Sequence, residues 1–70
     1  MKTRFYITET YCAGNLATGY SVETEAEAKQ ILKKYQQVNE FGSYMTIEEQ
    51  VKPWYSRSWK TIRLVAKWYN

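Results

Sequence analysis

The sequence predicts an α+β fold, in which a four-stranded antiparallel sheet carries one amphipathic helix on one face in the order β-β-α-β-β. Four segments alternate between polar and apolar residues, as strands with one buried face do. One segment repeats its apolar residues with a period near 3.6, which is typical of a helix. Seventy residues make one domain, residues 1–70. Because one helix covers only one face of a sheet, we expect the other face to be open.

The segment before the helix predicts two strands. Residues 3–11 alternate, with Glu9 as the one charged residue on the apolar side. Residues 12–19 contain three residues that favour turns, two glycines and one asparagine, and predict a loop. Residues 20–23 alternate again, and we expect this short strand to return antiparallel to the first.

The helix has the clearest local signal in the chain. Thr24 followed by Glu27 forms the pattern of a capping box, in which the threonine side chain accepts a hydrogen bond from the first turn. Asn39 or Gly42 can end the helix. The residues predicted to form its apolar stripe are Ala28, Ile31, Leu32, Tyr35 and Val38.

The remaining segment predicts a second pair of strands. Residues 44–51 alternate, with Glu49 again on the apolar side, and Pro53 ends this strand. Residues 54–58 predict a turn. Residues 59–69 fit a helical stripe as well as a strand, but their alternation and β-branched residues favour the strand. In that strand the residues predicted to point inward are Ile62, Leu64, Ala66 and Trp68.

The residues predicted to point outward give the open face an unusual composition, with four aromatic rings among three cations. Rings beside cations can stack nucleic-acid bases and neutralise phosphates. The same residue types are also favoured at the centres of protein interfaces. A third interpretation is that the aromatic residues only pair across the sheet. These outward residues are Arg4, Tyr6, Thr8, Tyr44, Thr46, Trp59, Arg63, Val65, Lys67 and Tyr69.

The charge of the chain is uneven, although its net value is only +3. From Lys52 onward there are five basic residues and no acid, together with several aromatic residues. Such a segment suits contact with nucleic acid, or is simply a solvated edge strand in which basic residues discourage pairing. The residues predicted to bind a partner are Arg4, Tyr6, Tyr44, Trp54, Tyr55, Arg57, Trp59, Arg63, Lys67 and Tyr69.

The composition argues against an enzyme. The chain has no histidine and no aspartate, and its single cysteine, Cys12, has no histidine to activate it. Glu48 and Glu49 are adjacent on a strand, so they point to opposite faces and cannot act as a pair. We expect no catalysis, no cofactor and no metal. No apolar run reaches the length of a membrane span and no signal peptide is evident, so we expect a cytoplasmic protein with a reduced Cys12.

Three features resemble those of small phage-encoded inhibitors: the opening strand Met1-Lys-Thr-Arg-Phe-Tyr-Ile7, the capped helix start Thr24-Glu-Ala-Glu-Ala-Lys29, and the later β-hairpin. The layout is similar to that of anti-CRISPR proteins of the short β-β-α-β-β kind that act on type I surveillance complexes. The resemblance implies a protein that acts by binding in the host cytoplasm. Many anti-CRISPR proteins are acidic mimics of nucleic acid, and the charge of +3 departs from that pattern.

We therefore expect a non-catalytic inhibitor that blocks a host protein or nucleoprotein complex. The first alternative is a module that binds nucleic acid directly through the same face. The second is a homodimer or larger homo-oligomer whose open face is its own interface, because a chain this short buries a small core and gains from association. No contact with a membrane is expected.

Overall fold

A computed structural model describes residues 1–10, 17–37 and 42–69, and it confirms the predicted fold. The elements in chain order are β1 (Lys2–Thr10), β2 (Ala17–Val22), α1 (Glu25–Gln36), β3 (Tyr44–Lys52) and β4 (Lys60–Tyr69). The strands form one sheet in the order β2-β1-β3-β4, and every neighbouring pair is antiparallel. The segment for which a helix was the alternative is therefore a strand.

The core lies between α1 and one face of the two central strands. Ile7 and Ile47 are direct partners in the β1–β3 ladder and are both fully buried. The helix contributes two buried residues to this layer, Ala28 and Tyr35. Ile31 and Leu32 are partly buried against the same cluster. The buried apolar residues are Phe5, Ile7, Ala28, Tyr35, Met45 and Ile47.

Both ends of α1 are held by specific contacts. At its start, Thr24 has an extended backbone, and its Oγ1 accepts a hydrogen bond of 3.2 Å from the Glu27 amide, as the sequence predicts. At its end, the buried Tyr35 hydroxyl donates a 2.7 Å hydrogen bond to Ser43 Oγ, just before β3. This bond fixes the helix to the sheet and satisfies two buried polar groups.

The predicted end of the helix is wrong. α1 ends at Gln36 with Gln37 as its cap, before either predicted terminator. Gly42 has a φ of +89°, a conformation that favours glycine, but it lies beyond the helix end and before β3. Val38 and Asn39 lie outside the described residues.

The loop predicted before β2 extends too far towards the C-terminus, because its last three residues, 17–19, belong to β2. β2 begins at Ala17, and the ladder with β1 continues through Gly19 opposite Thr8. Cys12 and the rest of the predicted loop up to residue 16 lie outside the described residues. Within the described ranges, no helix is long and apolar enough to cross a membrane.

The two glutamates that interrupt the apolar pattern face the helix side and have partners there. The Tyr20 hydroxyl donates a hydrogen bond of 3.2 Å to Glu9 Oε1. Arg63 Nε donates a hydrogen bond of 2.8 Å to Glu49 Oε1, and Arg63 Nη2 lies 2.7 Å from Glu25 Oε1 on α1. Arg63 and, secondarily, Lys29 lower the pKa of the Glu25 carboxyl, and the two carboxylates raise the pKa of Arg63.

Arg63 was predicted to lie on the open face, but its two ion pairs place it on the helix side. The cause is the register of β4. The register between β3 and β4 shifts twice: Ile47 lies opposite Ala66, Glu48 opposite Leu64 and Gln50 opposite Thr61. Each shift adds one residue to β4, and an added residue reverses the face of everything that follows it.

The consequences of the two shifts are specific. Leu64, predicted to point inward, lies opposite Glu48 on the open face and is 57% exposed. Ile62, also predicted to point inward, is unpaired in the ladder and 58% exposed. Val65, predicted to point outward, packs partly against the core, and Arg63 crosses to the helix side. Ala66 faces inward as predicted.

Candidate binding surface

The centre of the open face is built around Arg4. Its guanidinium carbon lies over two aromatic rings, 4.2 Å from the centroid of Trp59 and 5.0 Å from that of Tyr6. Arg4 Nε also donates a 2.8 Å hydrogen bond to Gln50 Oε1, its partner across the β1–β3 ladder. All three side chains of this Arg4–Tyr6–Trp59 cluster are half-buried. A cation over a ring contributes about 0.5–1 kcal/mol even at exposed sites, so the cluster holds its own shape.

A chain of hydrogen bonds extends from this cluster across the face to β4. Gln50 Nε2 donates to Thr61 Oγ1 at 3.2 Å, and the Thr61 hydroxyl donates to Glu48 Oε2 at 2.7 Å. The amide of Gln50 is thus fixed in orientation, with its oxygen towards Arg4. The same hydrogen bonds position one carboxylate on the face, that of Glu48, which lies opposite Tyr6 in the β1–β3 ladder.

A second group of predicted residues meets at the far end of the same face. Tyr44 and Tyr69 are partners in the β3–β4 ladder, and their ring centroids are 5.4 Å apart. Lys67 Nζ lies 5.2 Å from the centroid of Tyr69. The hydrogen bond with the nearby Tyr69 hydroxyl raises the pKa of the Lys67 ammonium group. Leu64 lies between the two groups along β4, and its exposed apolar side chain joins them into one surface.

Gly19 supports the cluster from β2. A Cβ atom built on Gly19 would collide with the Tyr6 hydroxyl and would lie 2.7 Å from Tyr6 Cζ. The absence of a side chain at this position therefore leaves the space that the Tyr6 ring occupies. This glycine looked like a turn residue in the sequence, whereas in the structure it is a strand residue beside the binding surface.

We expect Gly19→Ala to lower the free energy of unfolding by about 1–3 kcal/mol, the usual cost of forcing an extra methyl into an occupied space. Denaturant melts of four proteins measure it: the parent, Gly19→Ala, Tyr6→Ala and the double variant. In the Tyr6→Ala background the collision is gone, so the cost of Gly19→Ala should disappear. An equal cost in both backgrounds would show that Tyr6 does not use this space.

The structure brings together six of the ten predicted binding residues on the open face, and it separates the other four. Arg63 lies on the helix side in its two ion pairs. Trp54, Tyr55 and Arg57 lie in the turn between β3 and β4, at the end of the sheet. The residues on the open face are Arg4, Tyr6, Tyr44, Trp59, Lys67 and Tyr69.

The predicted binding residues did not include four residues that lie on this surface, which are Glu48, Gln50, Thr61 and Leu64. Glu48 and Gln50 follow the outward alternation of β3, and this signal could have included them. Leu64 could not be found in the same way, because its face depends on the register shift in β4. Comparison of the chain with protein-family models, curated proteins and solved structures finds no match.

Proposed function

We propose that this protein is a non-catalytic binding protein that docks its open sheet face on a host protein or nucleoprotein complex and blocks it. The observation that carries the proposal is the Arg4–Tyr6–Trp59 cluster, with Arg4 Nε fixed by Gln50. Tyrosine, tryptophan and arginine are the residue types that contribute most to protein interfaces. Here the three are adjacent and already ordered.

The order of this cluster favours tight docking. Side chains that are held in place before binding lose little conformational entropy when a partner arrives, so more of the contact energy appears as affinity. Around the cluster, the exposed Leu64 supplies apolar area, and Lys67 supplies a charge towards the rim. A partner surface with an apolar centre and acidic groups at its edge complements this arrangement.

The centre of the face is less suited to nucleic acid. One face of each ring is already covered by the Arg4 guanidinium, so those two faces are closed to bases. Glu48 adds a negative charge beside the cluster, which would repel phosphates. These contacts favour a protein surface as the target, including the protein part of a nucleoprotein complex.

Self-association is a second candidate, and it has its own support in β4. This strand is at the edge of the sheet, and it exposes both Ile62 and Leu64. Exposed apolar edge strands pair readily with a second strand. A homodimer formed in this way would cover part of the same surface and would compete with a host partner.

The resemblance to small anti-CRISPR proteins implies that the protein inhibits a type I CRISPR–Cas system. The test is phage plaquing on bacteria that carry an active type I system and a matching spacer. Expression of the protein should restore plaquing, and expression of Trp59→Ala should not. Lys33→Ala, which changes an exposed residue of α1, is the control and should restore plaquing fully. Failure of the unaltered protein to restore plaquing would contradict this form of the proposal.

A further inference from the structure

A cavity of about 360 Å³ lies at the end of the sheet, where the β3–β4 turn meets the start of β1. Its volume is within the range of about 300–1,000 Å³ that small-molecule sites occupy. None of the seven residues that line it is acidic, and three are cationic: Lys2, Lys52 and Arg57. The cavity therefore combines a half-open concave shape with concentrated positive charge.

The position of the two lysines is unfavourable for the fold on its own. Lys2 and Lys52 are direct partners in the β1–β3 ladder, and like charges placed opposite each other destabilise a sheet. Within the described residues, the ion pairs join Glu25 to Lys29 and Arg63, and Arg63 to Glu49, so none neutralises this pair or Arg57. An anion bound between these three cations would remove the repulsion.

The turn that forms the other wall is held in a defined shape. Pro53 is buried, and its carbonyl accepts a 3.1 Å hydrogen bond from the Ser56 amide, which closes a β-turn with Trp54 at its corner. Ser56 Oγ accepts a further 3.1 Å hydrogen bond from the Ser58 amide. Arg57 lies between these two serines, so the turn presents the arginine from a fixed backbone.

Trp54 is the aromatic wall of the cavity, and it is 89% exposed. Its contact with the Tyr55 ring is edge-on, with centroids 5.7 Å apart and planes at 88°. This contact orients the indole without requiring a stacked neighbour. An exposed indole beside three cations matches the two parts of a nucleotide, since a base stacks on an aromatic ring while its phosphate requires positive charge.

We infer that this cavity binds a nucleotide, with its phosphate among Lys2, Lys52 and Arg57 and its base stacked on Trp54. The nucleotide can be free or part of a single strand, because both present the same chemistry. This site is separate from the Arg4–Tyr6–Trp59 cluster, which contributes no residue to the cavity. Its failure would therefore leave the proposed docking of the open face untouched.

The test is a titration of the purified protein with AMP, followed by amide chemical shifts in NMR spectra. AMP should shift the amides of residues 52–57, and adenosine should bind far more weakly because it lacks the phosphate. Arg57→Gln should weaken AMP binding about tenfold, the effect of losing a charge-assisted contact. Lys33→Gln removes the same charge from an exposed position on α1 and should leave the affinity for AMP unchanged.

A second variant separates the base from the phosphate. Trp54→Ala should weaken AMP binding about fivefold or more while leaving the binding of inorganic phosphate unchanged, because only the base uses the indole. A short oligothymidylate, with and without a 5′-phosphate, distinguishes a free nucleotide from a nucleotide within a single strand. Tighter binding of the oligothymidylate than of AMP, with the same loss in Arg57→Gln, indicates a strand; AMP binding alone indicates a free nucleotide.

Three results would overturn the inference. They are equal affinity for adenosine and AMP, equal affinity of Arg57→Gln and Lys33→Gln for the nucleotide, and no binding of either AMP or the oligothymidylate. Circular dichroism of each variant confirms that the fold is retained. Both Arg57 and Trp54 are exposed turn residues, so we expect these substitutions to leave the core unchanged.

Discussion

Ile47→Ala should lower the free energy of unfolding by about 2–5 kcal/mol, the largest effect on stability that we expect from one substitution in this chain. Ile47 has no exposed surface, and it lies opposite Ile7 in the two central strands beneath the helix. Removal of its side chain leaves a cavity that the surrounding core closes only in part. Because domains of this size are only a few kcal/mol stable, the variant is expected to be largely unfolded at physiological temperature.

Ile62→Ala is the matched control, since it makes the same chemical change in the same sheet. Ile62 is 58% exposed at a register shift of β4, so its replacement should change the unfolding free energy by less than about 1 kcal/mol. Urea denaturation of both variants, followed by circular dichroism, measures the difference. Similar losses at the two positions would mean that β4 runs without the shifts and points Ile62 into the core.

The helix and the four strands could be predicted because their signals are local. The Thr24 cap acts on a residue three positions away, and the alternation of β1 and β3 follows from which face each residue presents. The open face then follows because a single helix covers only one of the two faces of a sheet. These features need no knowledge of which strand lies beside which.

The face on which the residues of β4 lie could not be predicted, because it depends on contacts distant in the sequence. Arg63 pairs with Glu49, 14 positions away, and with Glu25, 38 positions away. The two register shifts allow Arg63 to reach both carboxylates on the helix side, and they turn Leu64 outward. The position of Glu49 among the apolar residues of its strand indicated that this carboxylate has a partner, since a half-buried carboxylate requires one. It did not identify which cation that partner would be.

The Arg4–Tyr6–Trp59 cluster was also only partly predictable. Alternation places Arg4 and Tyr6 on one face of β1. That Trp59 contacts Arg4 depends on the β3–β4 turn, which returns β4 beside β3. The space for Tyr6 depends on Gly19 in β2, whose role in a strand no turn-residue pattern reveals.

Trp59→Ala should reduce affinity for the protein partner by about 30-fold or more, which corresponds to the roughly 2 kcal/mol lost when a central interface aromatic residue is truncated. The substitution removes ring area and also leaves the Arg4 guanidinium without one of its two rings. By contrast, Lys67→Ala should mainly slow association and weaken its dependence on salt, as expected for a charge at the rim. Surface plasmon resonance with the captured partner, at two salt concentrations, separates these effects.

Trp68→Ala is the control for this substitution, because it removes the same kind of side chain from the opposite face of the sheet. Trp68 lies opposite Met45 on the helix side of the sheet. If the open face binds the partner, Trp68→Ala should retain affinity as long as the variant is folded. Equal losses from Trp59→Ala and Trp68→Ala would indicate a general loss of structure, and circular dichroism of both variants tests for it.

Capture of a partner from nuclease-treated bacterial lysate tests most directly whether the open face docks on protein. The tagged protein, Trp59→Ala and Trp68→Ala are compared side by side, and the captured proteins are identified by mass spectrometry. Our account predicts that the same discrete protein partner is retained by the unaltered protein and by Trp68→Ala, and is lost with Trp59→Ala. Capture of the same partner by Trp59→Ala would contradict it.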